Sequence, residues 1–241
     1  MNDVVVTNYC FGTLYGKQQE RLKESITKLY PQINIKFWKD EERRQEICDL
    51  NKLPPGARTN YESCYGFKVH AIKACLDEGY KKIIWLDSAI ILHNGLEDII
   101  EKRLSEEGVI CCHGDQRLIN NISDSCLSAI GKTKNDIEHL SLIAGSVYLF
   151  DFNHPVTQKF FDKWYDMEKR NLFGRATDPQ LLPGFNNHGA DETCFALCLD
   201  EFGLKPLEHD DLGYYFDPPP IPTHHKNGKP IVFQKYHDIK M

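Results

Sequence analysis

Lys82-Ile83-Ile84-Trp85-Leu86 is apolar after its first residue and stops abruptly at Asp87-Ser88. Five residues suit a strand, and an unbroken apolar run leaves no polar face to turn to water. Such a strand must be covered on both faces, which means helices packed above and below a largely parallel sheet. The rest of the chain reads accordingly. Asp3-Val4-Val5-Val6-Thr7 predicts a first strand, followed by a loop over 8–16 that holds Tyr9, Phe11, Tyr15 and two glycines. Leu22, Ile26 and Leu29 stripe a helix over 18–30, with Pro31 just beyond it. Ile33 to Trp38 alternates as a second strand, and a short charged helix over 41–50 precedes the break Leu53-Pro54-Pro55-Gly56. A longer helix is predicted over 61–80. Beyond Asp87 the pattern continues through an apolar stretch at 89–92, a helix over 96–104 and a strand over 109–112. A strand over 142–150 is interrupted by Gly145-Ser146, and helices over 156–169 and 190–202 follow, the last ended by Gly203. Short strands over 212–216 and 231–233 close the pattern. This is an α/β order, and with no linker or internal repeat it predicts one domain over residues 1–241.

Charge and cysteine usage remove several classes of function. The net charge of -6 and pI of about 5.9 offer no basic excess for phosphate backbones, so no nucleic-acid partner is expected. No apolar run approaches the roughly 18 residues of a transmembrane segment, and no basic start leads into an apolar stretch, so a cytoplasmic location is expected. Nine cysteines without a C-x-x-C pair predict mostly free, buried thiols. Pro218-Pro219-Pro220-Ile221-Pro222 is stiff, and His224-His225 behind it reads as a polar surface loop, not a metal pair. His154, before Pro155, reads as structural.

Chemistry concentrates around Asp87. In open α/β sheets ligands bind beyond the carboxyl ends of strands, where an aspartate can hold a metal or a ligand hydroxyl; it can equally close a turn. Tyr65-Gly66-Phe67-Lys68 at the head of a helix, followed by Tyr80-Lys81-Lys82-Ile83-Ile84-Trp85-Leu86-Asp87-Ser88, resembles the GT-A nucleotide-sugar glycosyltransferases. That family places a Lys- or Arg-bearing helix before an apolar strand that ends in Asp-x-Asp. Asp3 to Tyr9 resembles its first strand and nucleotide loop. Ala144-Gly145-Ser146-Val147-Tyr148-Leu149-Phe150 resembles the strand beside the donor sugar, and His188-Gly189-Ala190-Asp191-Glu192-Thr193 the helix start on the acceptor side. The resemblance spans most of the chain and is nearest to small bacterial or viral polysaccharide enzymes.

It implies a GT-A, Rossmann-like domain with a mostly parallel central sheet. It implies a nucleotide-sugar donor, UDP-sugar favoured, a glycan acceptor, and Mn²⁺ or Mg²⁺. On the donor side stand Thr7, Asn8 and Tyr9, whose side chains would meet the edge and face of a base, with packing as the other reading of Tyr9. Lys68 would reach a phosphate or else lie on the helix surface. Asp87 and Ser88, with Gly145 and Ser146, would border the diphosphate and the sugar, unless the glycine serves packing. Asp191 is the candidate general base, since an inverting transfer needs a carboxylate to take the acceptor's proton; it can also be read as a helix cap. In a retaining transfer Asp191 would not be that base. His188 and Glu192 would line the acceptor side.

The second aspartate of the family motif falls at Ala89. Three arrangements answer that loss. Asp87 binds the metal together with His237 from the C-terminal end; or Asp87 binds it with water and phosphates alone; or the reaction is metal-independent, with Lys68 or Lys235 neutralising phosphate. The first two are favoured. A degenerate nucleotide- or glycan-binding module is the competing reading that Ala89 raises. A metal-dependent hydrolase built on Asp87, drawing on Asp115 and Asp191, is another.

Overall fold

The computed structural model describes residues 3–10, 12–39, 65–170, 172–173, 189–208, 214–216 and 232–234. Five strands form the central sheet: β1 (Val4–Cys10), β2 (Asn34–Lys39), β3 (Lys82–Leu86), β5 (Val109–Arg117) and β6 (Ser141–Asp151). Their order is β2-β1-β3-β6-β5, and β4 (Ile90–Leu92), β7 (Tyr214–Phe216) and β8 (Val232–Gln234) make a second sheet in the order β4-β8-β7. In the central sheet β1 pairs parallel with β2 and with β3, whereas β6 runs antiparallel to both β3 and β5. Four strands therefore share one direction and β6 alone is reversed. The mostly parallel α/β sheet expected from the sequence is the one observed.

The helices are α1 (Gly12–Leu29), α2 (Gly66–Asp77), α3 (Leu104–Glu107), α4 (Asp124–Ile130), α5 (Thr157–Lys169) and α6 (Ala190–Phe202). None of the described helices is long and apolar enough to cross a membrane. Strand alternation divides the core in two. Val5, Ile83, Trp85, Tyr148 and Phe150 point to the side of α2, α5 and α6, where Phe160, Phe161, Trp164 and Phe195 meet them. Val4, Val6, Ile84, Leu86 and Leu149 point to the other side, against Leu22 and Ile26 of α1 and Leu96 to Leu104. Both faces of β3 are thus sealed, as its unbroken apolar run requires.

Some local expectations are corrected. The loop predicted over 8–16 is strand as far as Cys10 and helix from Gly12, because Asn8, Tyr9 and Cys10 are buried in the sheet. The helix predicted over 96–104 contains a π-helical turn at Ile99–Arg103 before α3. Helix α4 was not expected; Ser123 caps it by accepting the Cys126 amide. The helix predicted over 41–50 lies outside the described residues.

From β1 the chain crosses to β2 on one side, then returns to β3 on the other. The carboxyl ends of β1 and β3 therefore flank a topological switch point, where crevices form in this class of fold. Strand β8 returns Gln234 opposite Ile90, three residues past Asp87. All seven described cysteines are buried thiols.

Candidate active site

Three elements meet beyond the end of β3: the first turn of α2, the middle of β6 and the first turn of α6. Tyr65, with φ of 58°, and Ala190, with φ of 46°, set the starts of the two helices in left-handed backbone that non-glycine residues seldom adopt. Helix α6 then carries Asp191 and Glu192 in its first turn, where the helix dipole favours acids. Gly189 is its cap, so Asp191 is not one. Helix α2 carries Lys68 in the same relative place, where the dipole works against a cation.

Lys68 is paid for by its neighbours. Its Nζ donates to the Gly145 carbonyl at 2.8 Å and lies 3.1 Å from Asp191 Oδ2 and 3.6 Å from Asp87 Oδ1. The rings of Tyr65 and Tyr148 stand 5.0 and 5.6 Å from it. Burial alone would lower its pKa; Asp191, Asp87 and Glu192 more than reverse that and hold it above the ordinary lysine value. Lys68 is thus neither on the helix surface nor directed at solvent.

The three acids differ in access. The Asp191 side chain is 2% exposed, and Oδ2 also accepts the Tyr148 hydroxyl at 2.7 Å. Burial raises its pKa, with Lys68 and Tyr148 pulling the other way. The Asp87 side chain is 29% exposed; Oδ1 accepts the Trp85 indole N–H at 2.8 Å, and the Asp87 amide donates to the Ser146 carbonyl at 2.9 Å. Glu192 is half-buried, and its Oε1 accepts the Gly145 amide at 2.9 Å. Burial first, then the neighbouring Asp191, pushes the Glu192 carboxyl up to about 8.

Gly145 joins the cluster through its backbone. The β5 register slips beside it, Cys111 facing Tyr148 while Cys112 faces Ala144, so β5 passes over 145–147. A bulge of this kind releases main-chain groups from the ladder. Here the Gly145 N–H goes to Glu192 and its C=O accepts from Lys68. A Cβ at 145 would lie 2.6 Å from Glu192 Cγ and 2.8 Å from the Tyr148 hydroxyl. The glycine makes room for those two side chains.

Thr7, Asn8 and Ser88 turn inward. The Thr7 hydroxyl donates to the Lys36 carbonyl at 3.1 Å. Asn8 donates to the Leu86 carbonyl, and its Oδ1 accepts from Gln19 at 2.7 Å and from Ser88 at 3.1 Å. Tyr9 is buried against Phe67, ring centroids 5.5 Å apart. Asn8 and Ser88 thus tie the ends of β1 and β3 to α1, while Thr7 bonds across to β2 and Tyr9 packs on α2. Ser146 is buried. His188 and His237 lie outside the described residues, as do Lys235, His224 and His225.

A divalent cation was expected at Asp87. Ala89 is buried, and its carbonyl accepts from Arg21 at 3.4 Å. Among the described residues no three His, Cys, Asp or Glu side chains converge to hold a metal. What the site offers is the partly exposed carboxylate of Asp87, beside the Lys68 ammonium that it shares with Asp191. That donor chemistry fits a hard cation that takes its other ligands from phosphate and water.

Tyr148, Trp85 and Gln19 belong to the site and were not singled out in the sequence. Alternation along β3 carries the Trp85 signal, since residues 85 and 87 share a side of an extended chain.

No protein-family model matches the chain, and no curated protein sequence matches it. Among the solved structures similar to it are two that match over nearly their whole length. Mouse xyloside xylosyltransferase 1 in its apo form has a TM-score of 0.55 at 9% identity, covering 100% of this chain and 99% of that one. A glycosyltransferase involved in glycosylating the major capsid of PBCV-1 has a TM-score of 0.53 at 11% identity, covering 96% and 91%. At such identities the likeness is one of fold, and the fold is GT-A.

Proposed function

We propose that the chain is a GT-A glycosyltransferase that moves a sugar from a nucleoside-diphosphate sugar, UDP-sugar favoured, to a hydroxyl of a glycan. The observation that carries this reading is the meeting of Asp87, Lys68, Asp191 and Glu192 beyond the carboxyl end of β3, beside β6. The two solved structures described above are named for a xylosyltransferase and for glycosylation of a capsid, which agrees with the class of reaction.

In this reading Asp87 would hold Mn²⁺ or Mg²⁺, which when bound supplies positive charge to the departing diphosphate. Lys68 and Asp191 are fixed to one another and hold Asp87, Gly145 and Tyr148 in place. The proton-accepting role passes from Asp191, which is sealed in, to Glu192. A carboxyl raised to about 8 sits near neutrality, where a general base is most effective. Its bond from the Gly145 amide fixes one oxygen.

The test is calorimetry of UDP with the purified chain, with and without Mn²⁺, using Asp87→Ala as the control. Binding that needs both the metal and Asp87 is expected, followed by sugar transfer that Asp87→Asn abolishes. Absence of binding to UDP and to GDP, with or without metal, overturns the reading.

A further inference from the structure

A cavity of about 380 Å³ lies between the N-terminal half of β6 and the C-terminal half of α6. It is continuous in sequence with the candidate active site along both elements. Ser141, Ile143 and Gly145 alternate onto one side of β6. Gly145 meets Glu192 of α6 there, while Ile143 lines the cavity with Ala196 and Leu199 of the same helix. At about 3.3 Å per strand residue, Ser141 lies about 13 Å from Gly145. At 1.5 Å per helical residue, Asp200 lies about 12 Å from Glu192. The two estimates agree, so the cavity stands a few sugar units from the point of transfer.

Its lining has two parts. Ile143, Ala196, Leu199, Leu204 and Pro206 form an apolar floor. His113, His139, Ser141, Asp200 and Lys205 bring hydrogen-bonding groups of both signs to the rim. Asp200 accepts from Lys132 at 2.9 Å and lies 3.2 Å from His139 Nε2, so its carboxylate is fixed in direction and its charge is balanced. With Asp200 neutralised by Lys132, the rim gathers no concentrated charge to hold an anion, and a lipid chain would leave its polar groups without partners. A pyranose satisfies both parts: its ring has an apolar face, and its hydroxyls donate and accept without net charge.

We propose that this cavity is a distal subsite for the acceptor glycan, binding a neutral sugar unit while a hydroxyl further along the same chain lies at Glu192. The assignment of this sugar to the acceptor rests on the glycosyltransferase reading above; the sugar-binding chemistry of the cavity stands on its own lining.

The experiment follows the imidazole resonances of His113 and His139 by NMR in the full chain, titrated separately with lactose, cellobiose, xylobiose and chitobiose. At least one disaccharide is expected to shift both histidines saturably. Ser141→Trp, which sets an indole in the cavity mouth, should weaken that binding about tenfold or more. Leu140→Trp does the same from the neighbouring position if the first variant fails a thermal-melt check of folding. UDP binding, measured in parallel, separates the two readings. Sugar binding without binding of either UDP or GDP supports the cavity and overturns the transfer reading. UDP binding with no shift from any of the four sugars overturns the cavity proposal and leaves the transfer reading. A shift that both tryptophan variants leave unchanged also overturns it.

Discussion

Lys68 brings one positive charge beside Asp191, Asp87 and Glu192, and the ammonium and Asp191 are closed to water. Removing the ammonium leaves Asp191 buried with an uncompensated charge, a loss that typically costs about 3–5 kcal/mol. Lys68→Met should lower stability in urea by at least about 3 kcal/mol on that scale. The double variant Lys68→Met/Asp191→Leu should recover much of it, since an apolar pair needs no counter-charge. Glu192 gives the opposite kind of test. Burial and Asp191 push its carboxyl up to about 8 from the ordinary 4.5, so the folded protein holds this proton more tightly than the unfolded chain. Below 4.5 both states are protonated and the group does not affect stability. From there to about 8 the unfolded state releases the proton more readily, so stability falls as pH rises and levels off above. Glu192→Gln should flatten that slope in urea titrations across the same window. The four charged residues at this site stand out in the sequence through spacing and resemblance. Tyr148 does not, because its partner Asp191 is 43 residues away and nothing local points to it.

At the level of elements, alternation reveals much and direction little. The unbroken run in β3 predicts burial on both faces, and the divided core confirms it. The reversal of β6 has no local signature, since an apolar strand reads the same either way. Gly145-Ser146 in that strand does carry a signal, and the slipped register shows what it means. Gly145→Ala should cost about 1–3 kcal/mol, because the new methyl group must displace Glu192 or Tyr148. Sugar transfer should fall further than stability, since the first turn of α6 moves with Glu192; the two are compared by urea unfolding and by donor turnover. The predicted loop at 8–16 failed for a related reason. Polar and aromatic residues there look like surface, yet Asn8 spends its amide on Leu86, Gln19 and Ser88 inside the sheet.

Over the whole molecule, the two-sided core is aromatic on one face and aliphatic on the other. Phe150 has Phe160, Phe161, Trp164 and Phe195 around it, with ring centroids 5.8 to 6.4 Å away. The buried thiols are distributed through the same interior, and burial raises those of Cys111, Cys194 and Cys198 well above the ordinary range. Cys48 and Cys64 are the two cysteines outside the described residues. A disulfide reagent added to the native protein should therefore modify no more than those two promptly, and the others only after denaturant is added. Prompt reaction of a third thiol would show that the core opens more easily than its packing implies.

The bulge at Gly145 also turns a backbone amide into a gauge. A ladder amide faces a neutral carbonyl, and its proton resonance is indifferent to ionisation nearby. The Gly145 amide faces the Glu192 carboxyl, so its chemical shift should trace that group's charge directly, and a sugar or nucleotide that displaces Glu192 will register there before any product forms.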